Sequence, residues 1–183
     1  MKALLTSAGF SCGAFTMRFL AMTGKDAGDI RVVFVPTAAI TPDAIAMLPK
    51  CMNDLLSAGI PKENVTVYDL HRAMGWAELR AHDAIYFAGG DAEYLMRRIN
   101  DSRFRNRLLR FIRTNGVYVG VSAGSCVAAE NVRRGLKLLA APIHVHQEKG
   151  TRAGPLAVEG RDTVYLTDKQ AIIIDGELCE IAE

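Results

Sequence analysis

The chain reads Gly116-Val117-Tyr118-Val119-Gly120-Val121-Ser122-Ala123-Gly124-Ser125 where an apolar run gives way to small residues. The apolar part predicts a buried strand that ends at Val121, and the small residues predict a helix that begins near Gly124. Ser122 then lies on a sharp turn, where the flanking glycines let the two backbones approach closely. This turn would present the hydroxyl beside the backbone N–H of Ala123 and the positive end of the helix. Gly-x-Ser-x-Gly is typical of a nucleophile elbow, although small-residue turns also follow strands for packing reasons.

Length and composition indicate a single domain over residues 1–183. Half of the residues are hydrophobic and 23% are charged, which is enough apolar material for a sizeable core. The formal net charge of +2 is too small to suggest nucleic acid or an anionic membrane as a partner. No apolar run approaches the roughly 20 residues that span a membrane, and the chain starts on a short β-like stretch. We therefore expect a cytoplasmic protein.

Strand-like and helix-like stretches alternate along most of the chain. The parallel strands are predicted at 3–6, 31–35, 65–68, 84–88 and 117–121. After the elbow the pattern changes to short strands, which we expect to be antiparallel, at 164–166, 171–174 and 178–181, with a hairpin turn at Asp175-Gly176. This order predicts an α/β fold, a three-layer sandwich with a mostly parallel central sheet and a β-rich C-terminal hairpin region.

One of the predicted helices begins at Thr41-Pro42, where threonine is a good N-cap and proline suits the first turn. It should continue to Gly59 with a buried stripe formed by Ile45, Leu48, Met52, Leu55 and Leu56.

Several loops of small residues follow the predicted strands. In open α/β sheets the ligand crevice lies at the carboxyl ends of the strands. The loops expected at that edge are Ser7-Ala8-Gly9, Thr37-Ala38-Ala39, Gly89-Gly90-Asp91 and Ser122-Ala123-Gly124. Their convergence predicts a functional site there.

A serine hydroxyl becomes a good nucleophile only when a neighbouring base takes its proton. The chain has four histidines. His82 precedes a strand at the far end of the sheet, and nothing else marks His71. His144 and His146 lie on an extended segment after the elbow, on the same side of it, so one of these two is the candidate base.

The four cysteines, Cys12, Cys51, Cys126 and Cys179, show no spacing typical of a metal site or a disulfide framework. We expect no metal and no cofactor. Cys126 follows the turn at a helix start, which leaves an amidotransferase-like cysteine nucleophile as an alternative to packing. The arginine-rich stretch 97–113 lacks interleaved exposed aromatics, so it predicts a solvated face rather than a nucleic-acid site.

Four pieces of sequence occur in a characteristic order: Thr6-Ser7-Ala8, Gly89-Gly90-Asp91-x-x-Tyr94-Leu95, Gly120-Val121-Ser122-Ala123-Gly124-Ser125, and Gly135-Leu136-x-Leu138 leading to His146. A closing segment, Leu166-Thr167-Asp168-x-x-Ala171-Ile172-x-x-Asp175-Gly176, follows them. In these pieces the sequence resembles the serine peptidase family that contains aspartyl dipeptidase (peptidase E) and cyanophycinase.

The resemblance implies a role for each matching position. Ser122 would be the nucleophile and His146 the general base, although Val145 stands where the family has proline before the histidine. The backbone N–H groups of Gly90 and Ala123 would form the oxyanion hole. Asp91 would hold its loop or contact the amino group of the substrate, unless it is simply the N-cap of the next helix.

The acidic member of the triad is harder to assign. In the family it lies between the serine and the histidine, on a segment that is shortened here and offers only Glu130. Eight residues beyond Ser122 on a helix, Glu130 would be roughly 12 Å along the axis, which is an awkward position. Glu148 and Asp168 are possible substitutes.

The resemblance implies a serine exopeptidase of dipeptidase type that acts on a small peptide, and it leaves a homodimer open. Because the acid is uncertain, the alternative is a catalytically weak or inactive relative that binds a small molecule or peptide in the same crevice. Family members bind an acidic substrate side chain through arginine. Lys149, Arg152 and Arg161 follow His146, but we infer no aspartyl specificity from them.

Overall fold

The computed structural model describes residues 1–157 and 162–183. Its strands are β1 (Lys2–Thr6), β2 (Val32–Val35), β3 (Val65–Val67), β4 (Ala84–Phe87), β5 (Val117–Val121), β6 (Ile143–His144), β7 (Gly154–Pro155), β8 (Val164–Tyr165), β9 (Ala171–Asp175) and β10 (Leu178–Ala182). Its α-helices are α1 (Gly13–Thr23), α2 (Pro42–Ala46), α3 (Leu48–Ser57), α4 (Trp76–Leu79), α5 (Ala92–Asp101), α6 (Arg105–Arg113) and α7 (Ala123–Ala128).

The main sheet has eight strands in the order β3-β2-β4-β5-β1-β9-β10-β7. The first five of these run parallel, and β9, β10 and β7 continue the sheet with antiparallel pairings. Strand β1 therefore joins the two parts, because it pairs with β5 on one side and with β9 on the other. The predicted α/β fold with a mostly parallel central sheet is confirmed.

Two hydrophobic clusters cover the two faces of this sheet. Alternating residues of one strand belong to different clusters: Ala3 and Leu5 face one side, and Leu4 faces the other. Helices α1 and α3 pack in the cluster that contains Leu4, whereas α5, α6 and α7 pack in the other. The arrangement is a three-layer sandwich, as predicted.

The single helix predicted after Thr41 is divided into α2 and α3 at Met47. Thr41 is the N-cap as expected, accepting from the N–H of Ala44. Pro49 explains the division, because it has no N–H for the carbonyl of Ile45 and its ring crowds that carbonyl. The predicted buried stripe is wrong at Ile45 and Leu56, which are 51% and 38% exposed.

The C-terminal region also differs in part from expectation. Strands β9 and β10 form an antiparallel pair around Gly176, whose φ is +64°. Strand β8, predicted to be antiparallel, instead pairs parallel with β6 in a separate two-stranded sheet. No helix in the described part of the chain is long and apolar enough to cross a membrane.

Candidate active site

Ser122 occupies the turn between β5 and α7 with φ +49° and ψ −105°. A residue with a side chain rarely adopts positive φ, so the surrounding contacts must hold it there. The N–H of Ser122 donates to the carbonyl of Thr6 at 3.0 Å, and its carbonyl accepts from the N–H of Cys126 at 3.0 Å. These bonds tie the turn to the end of β1 and to the first turn of α7.

Close packing explains the glycines on either side of Ser122. A Cβ on Gly120 would lie 2.6 Å from the carbonyl carbon of Gly124, and one on Gly124 would lie 2.5 Å from the carbonyl oxygen of Phe87. Ser125 closes the contact by donating from its hydroxyl to the carbonyls of Thr6 and Gly120, at 2.7 and 2.8 Å. The small residues let strand and helix touch, as the sequence predicted.

A chain of hydrogen bonds leads from Ser122 to an acid. Ser122 Oγ lies 3.1 Å from His146 Nε2, and His146 Nδ1 lies 2.7 Å from Asp168 Oδ1. A carboxylate can only accept, so Nδ1 carries the proton toward Asp168 and Nε2 is free to accept from the serine hydroxyl. The side chains of His146 and Asp168 are 52% and 60% exposed, so this relay lies at the surface of the crevice.

Ser7 connects the histidine to the acid, and the sequence analysis assigned it no role. Its buried hydroxyl donates to Asp168 Oδ1 at 2.8 Å and accepts from the backbone N–H of His146 at 2.7 Å. His146 has φ +57°, so this bond helps to hold a strained residue. The hydrogen bond from Ser7, followed by that from His146, keeps the pKa of Asp168 below the usual carboxyl range.

The structure does not bring Glu130 to the imidazole, which corrects its place in the predicted triad. The Glu130 carboxylate pairs with Lys137 at 3.7 Å, consistent with its distance along the chain from Ser122. Asp168, one of the two substitutes named in the prediction, is the acid beside His146 Nδ1. It reaches the imidazole because the connection from β8 to β9 returns to the end of β1.

His144 and His146 do not share one side of an extended segment. His144 lies in β6, and its ring packs beside Tyr165 with centroids 5.4 Å apart. The positive φ of His146 turns the chain after β6, so only the second histidine reaches Ser122. His82, before β4, is buried and hydrogen-bonded to Thr66 and to the carbonyl of Glu78.

Gly90 and Ala123, the predicted oxyanion donors, lie near the nucleophile: Gly90 lines the same crevice as Ser122, and Ala123 follows Ser122 at the start of α7. Gly90 has φ +138°, and a Cβ there would overlap the carbonyl oxygen of Ala38. Among the described backbone hydrogen bonds, neither Gly90 nor Ala123 uses its N–H as a donor. Asp91 caps α5, with Oδ1 accepting from the N–H of Tyr94 at 2.8 Å, which favours the structural alternative for that side chain.

The nucleophile opens into a crevice of about 250 Å³. One wall is formed by Gly89, Gly90, Val121 and Ser122, together with Ser7, Ala8, His146 and Asp168. Helices α2 and α3 form a second part of the wall, with Lys50 and Asp54 as its charged residues. Sequence reasoning missed this second part, although Pro49 signalled the break that shapes it.

Two other predictions concern side chains outside this relay. Cys126 lies close to the turn, but burial raises the pKa of its thiol, which disfavours the thiolate that a nucleophile requires. Lys149 and Arg152 are exposed and do not line the crevice, and Arg161 lies outside the described residues. Within 1–157 and 162–183 no three His, Cys, Asp or Glu side chains are grouped so that they could hold a metal ion.

One sequence-family model and two solved structures are similar to this chain. The sequence model of peptidase family S51 matches residues 4–147. A crystal structure of a candidate peptidase E protein from Listeria monocytogenes EGD-e is similar with a TM-score of 0.79 and 20% identity, covering 100% of this chain and 98% of that one.

A second crystal structure, of a peptidase from an acI-B1 Actinobacterium, is similar with a TM-score of 0.70 and 16% identity, covering 99% of this chain and 86% of that one. No protein with a curated function matches the chain. At these identities the two structures show a shared fold. Asp168 lies beyond the segment that the family model matches.

Proposed function

The chain belongs to peptidase family S51, and we propose that it is a serine exopeptidase of dipeptidase type that cleaves a small peptide through an acyl-enzyme on Ser122. The observation that carries this proposal is the hydrogen-bonded order Ser122, His146, Asp168 at the mouth of one crevice. That order has the nucleophile, base and orienting acid of a serine hydrolase.

The proposed reaction begins with attack of Ser122 Oγ on the peptide carbonyl carbon. His146 Nε2 accepts the hydroxyl proton and then gives it to the leaving amine, while Asp168 holds the imidazole in the required tautomer. The N–H groups of Gly90 and Ala123 stabilise the negative charge on the carbonyl oxygen, each contributing about 3 kcal/mol to lowering the barrier. A water molecule, activated by the same histidine, then hydrolyses the acyl-enzyme.

The test is covalent labelling with a fluorophosphonate, followed by peptide mapping. We expect the label on Ser122, with no labelling of the Ser122→Ala variant. A panel of dipeptides with free and blocked termini then separates exopeptidase from endopeptidase activity. The alternative, an inactive relative that binds a small molecule or peptide, predicts ligand-dependent thermal stabilisation without labelling or turnover.

A further inference from the structure

The part of the crevice wall that α2 and α3 form consists largely of apolar groups. Ala44 comes from α2, Met47 joins the two helices, and Leu48 and Cys51 come from α3. One carboxylate, Asp54, stands among them and lines the same crevice as the nucleophile. Burying one carboxylate among apolar groups costs free energy unless another group compensates its charge.

The two oxygens of Asp54 are used differently. Oδ2 accepts two hydrogen bonds, from the hydroxyl of Tyr86 at 2.6 Å and from the backbone N–H of Phe10 at 3.0 Å. In the described residues no hydrogen bond reaches Oδ1, and no ion pair within 4.0 Å includes Asp54. The side chain is therefore fixed in position, with one oxygen left to accept.

The charge of Asp54 is poorly compensated inside the protein. Burial raises the pKa of this carboxyl, and the hydrogen bonds from Tyr86 and Phe10, together with the nearby charge of Lys50, only partly oppose that effect. Lys50 is exposed on the same wall and does not pair with Asp54. A cation in the crevice could therefore pair with the Asp54 carboxylate, which is partly desolvated and fixed in position.

We propose that Asp54 Oδ1 binds a primary ammonium group of the substrate, so that the Ser122 crevice contains an ammonium subsite. The inference deepens the proposed function and rests on it, since the substrate must lie in the Ser122 crevice. A primary ammonium suits the site better than a guanidinium, because bidentate pairing would need both oxygens and Oδ2 is already occupied.

Two parts of a peptide can supply such a group: the free amino terminus, which an exopeptidase substrate exposes, and a lysine side chain. Asp91, the other candidate for the amino group, already caps α5 and does not line the crevice. Asp54 is therefore the side chain that fits this specificity role.

The first experiment compares three p-nitroanilides: L-alanine, N-acetyl-L-alanine and Nα-acetyl-L-lysine. We expect the wild-type enzyme to prefer an ammonium-bearing substrate over the acetylated alanine by about 10- to 100-fold in kcat/KM, the range for a hydrogen bond to a charged group. The preferred substrate identifies the source of the ammonium. Equal kcat/KM for all three would overturn the proposal.

Asp54→Asn is the matched variant, because an asparagine oxygen still accepts from Tyr86 and Phe10 while the charge is removed. We expect it to lose the ammonium preference, because its kcat/KM should fall more for the ammonium-bearing substrate than for N-acetyl-L-alanine p-nitroanilide. An equal loss on all substrates would assign Asp54 a purely structural role and overturn the subsite.

Lys50→Gln provides a second variant at an exposed position, where misfolding is not a concern. Removing this positive charge should raise the ammonium preference by about twofold to fivefold, since surface charge pairs have effects of this size. A fall in the preference would contradict the proposal even if Asp54→Asn did not fold.

A binding measurement separates failure of the subsite from failure of the proposed function. The melting temperature of the Ser122→Ala variant is measured with L-alaninamide, N-acetyl-L-alaninamide and Nα-acetyl-L-lysinamide at constant ionic strength. Stabilisation by an ammonium compound that is lost on adding Asp54→Asn supports the subsite, even if no fluorophosphonate labels Ser122. No selective stabilisation would overturn the subsite, even in an active peptidase.

Discussion

Ser122 is held mainly by the close packing of small residues and by backbone hydrogen bonds, whereas His146 and Asp168 are held together by the side chain of Ser7, which lies far from both in sequence. Around Ser122 the strained turn is held by the packing of Gly120 on Gly124 and by backbone bonds from Cys126 and to Thr6. The acid–base half of the site, formed by Ser7, His146 and Asp168, instead brings three distant segments together around the buried hydroxyl of Ser7. The first half depends on steric fit between small residues, and the second on hydrogen bonds between distant side chains.

This difference has consequences for tolerance to change. A local corner made of small residues should fail by steric clash, which affects folding before chemistry. A relay joined by hydrogen bonds should fail by misorientation, which affects chemistry before folding. Variants of the elbow should therefore lower stability, and variants of the acid–base half should lower kcat.

Replacing the acid should have the largest effect. Asp168→Asn removes the charge beside Nδ1 and allows the wrong tautomer of His146, so we expect kcat to fall by about 10⁴-fold. Steady-state kinetics on the best dipeptide measures this change. Glu130→Gln is the matched control, because Glu130 pairs only with exposed Lys137 and should change kcat less than twofold, roughly the scale of a surface ion pair. A larger loss in Glu130→Gln than in Asp168→Asn would reverse the assignment of the acid.

The contrast between the halves also explains what the sequence could predict. The elbow and the Gly90 turn could be predicted from short runs of small residues, because a positive φ at Gly90 and the close backbone approach at Gly120 and Gly124 require residues without a side chain. Asp168 lies 22 residues beyond His146 and reaches it only because β9 pairs with β1, a long-range pairing that no local pattern encodes. Ser7 belonged to a recognisable piece of sequence, yet nothing in its spacing indicated a bond to His146. The division of the helix after Thr41, by contrast, was readable from Pro49.

Gly120→Ala tests the local half, and its effect should appear in stability. The added Cβ would lie 2.6 Å from the carbonyl carbon of Gly124, so strand and helix must separate. We expect a loss of about 1–3 kcal/mol in the free energy of unfolding, the usual cost of overpacking. Chemical denaturation measures it. Gly13→Ala serves as the control, since a Cβ there meets nothing within 4 Å, and a comparable loss in it would argue against the steric explanation.

Ser7→Ala should have the smallest effect of the three and gives the most specific test of the acid–base half. The change removes the donor to Asp168 Oδ1 and the acceptor for the N–H of His146. We expect kcat to fall by about 10-fold with little change in KM, because one hydrogen bond to a charged group is lost and the imidazole is less well oriented.

The titration of Asp168 supplies the decisive readout for Ser7→Ala. The bond from Ser7 is the main cause of the lowered pKa of Asp168, so its removal should raise that pKa and protonate the carboxyl at a higher pH. Carbon-13 NMR of the Asp168 carboxyl measures the shift. Ser125→Ala removes another buried hydroxyl, bonded to Thr6 and Gly120 instead, and should lower stability while leaving the Asp168 titration in place. If both variants moved the titration equally, the effect of Ser7 would be a general loosening of the fold, and the acid–base half would not depend on that one hydroxyl.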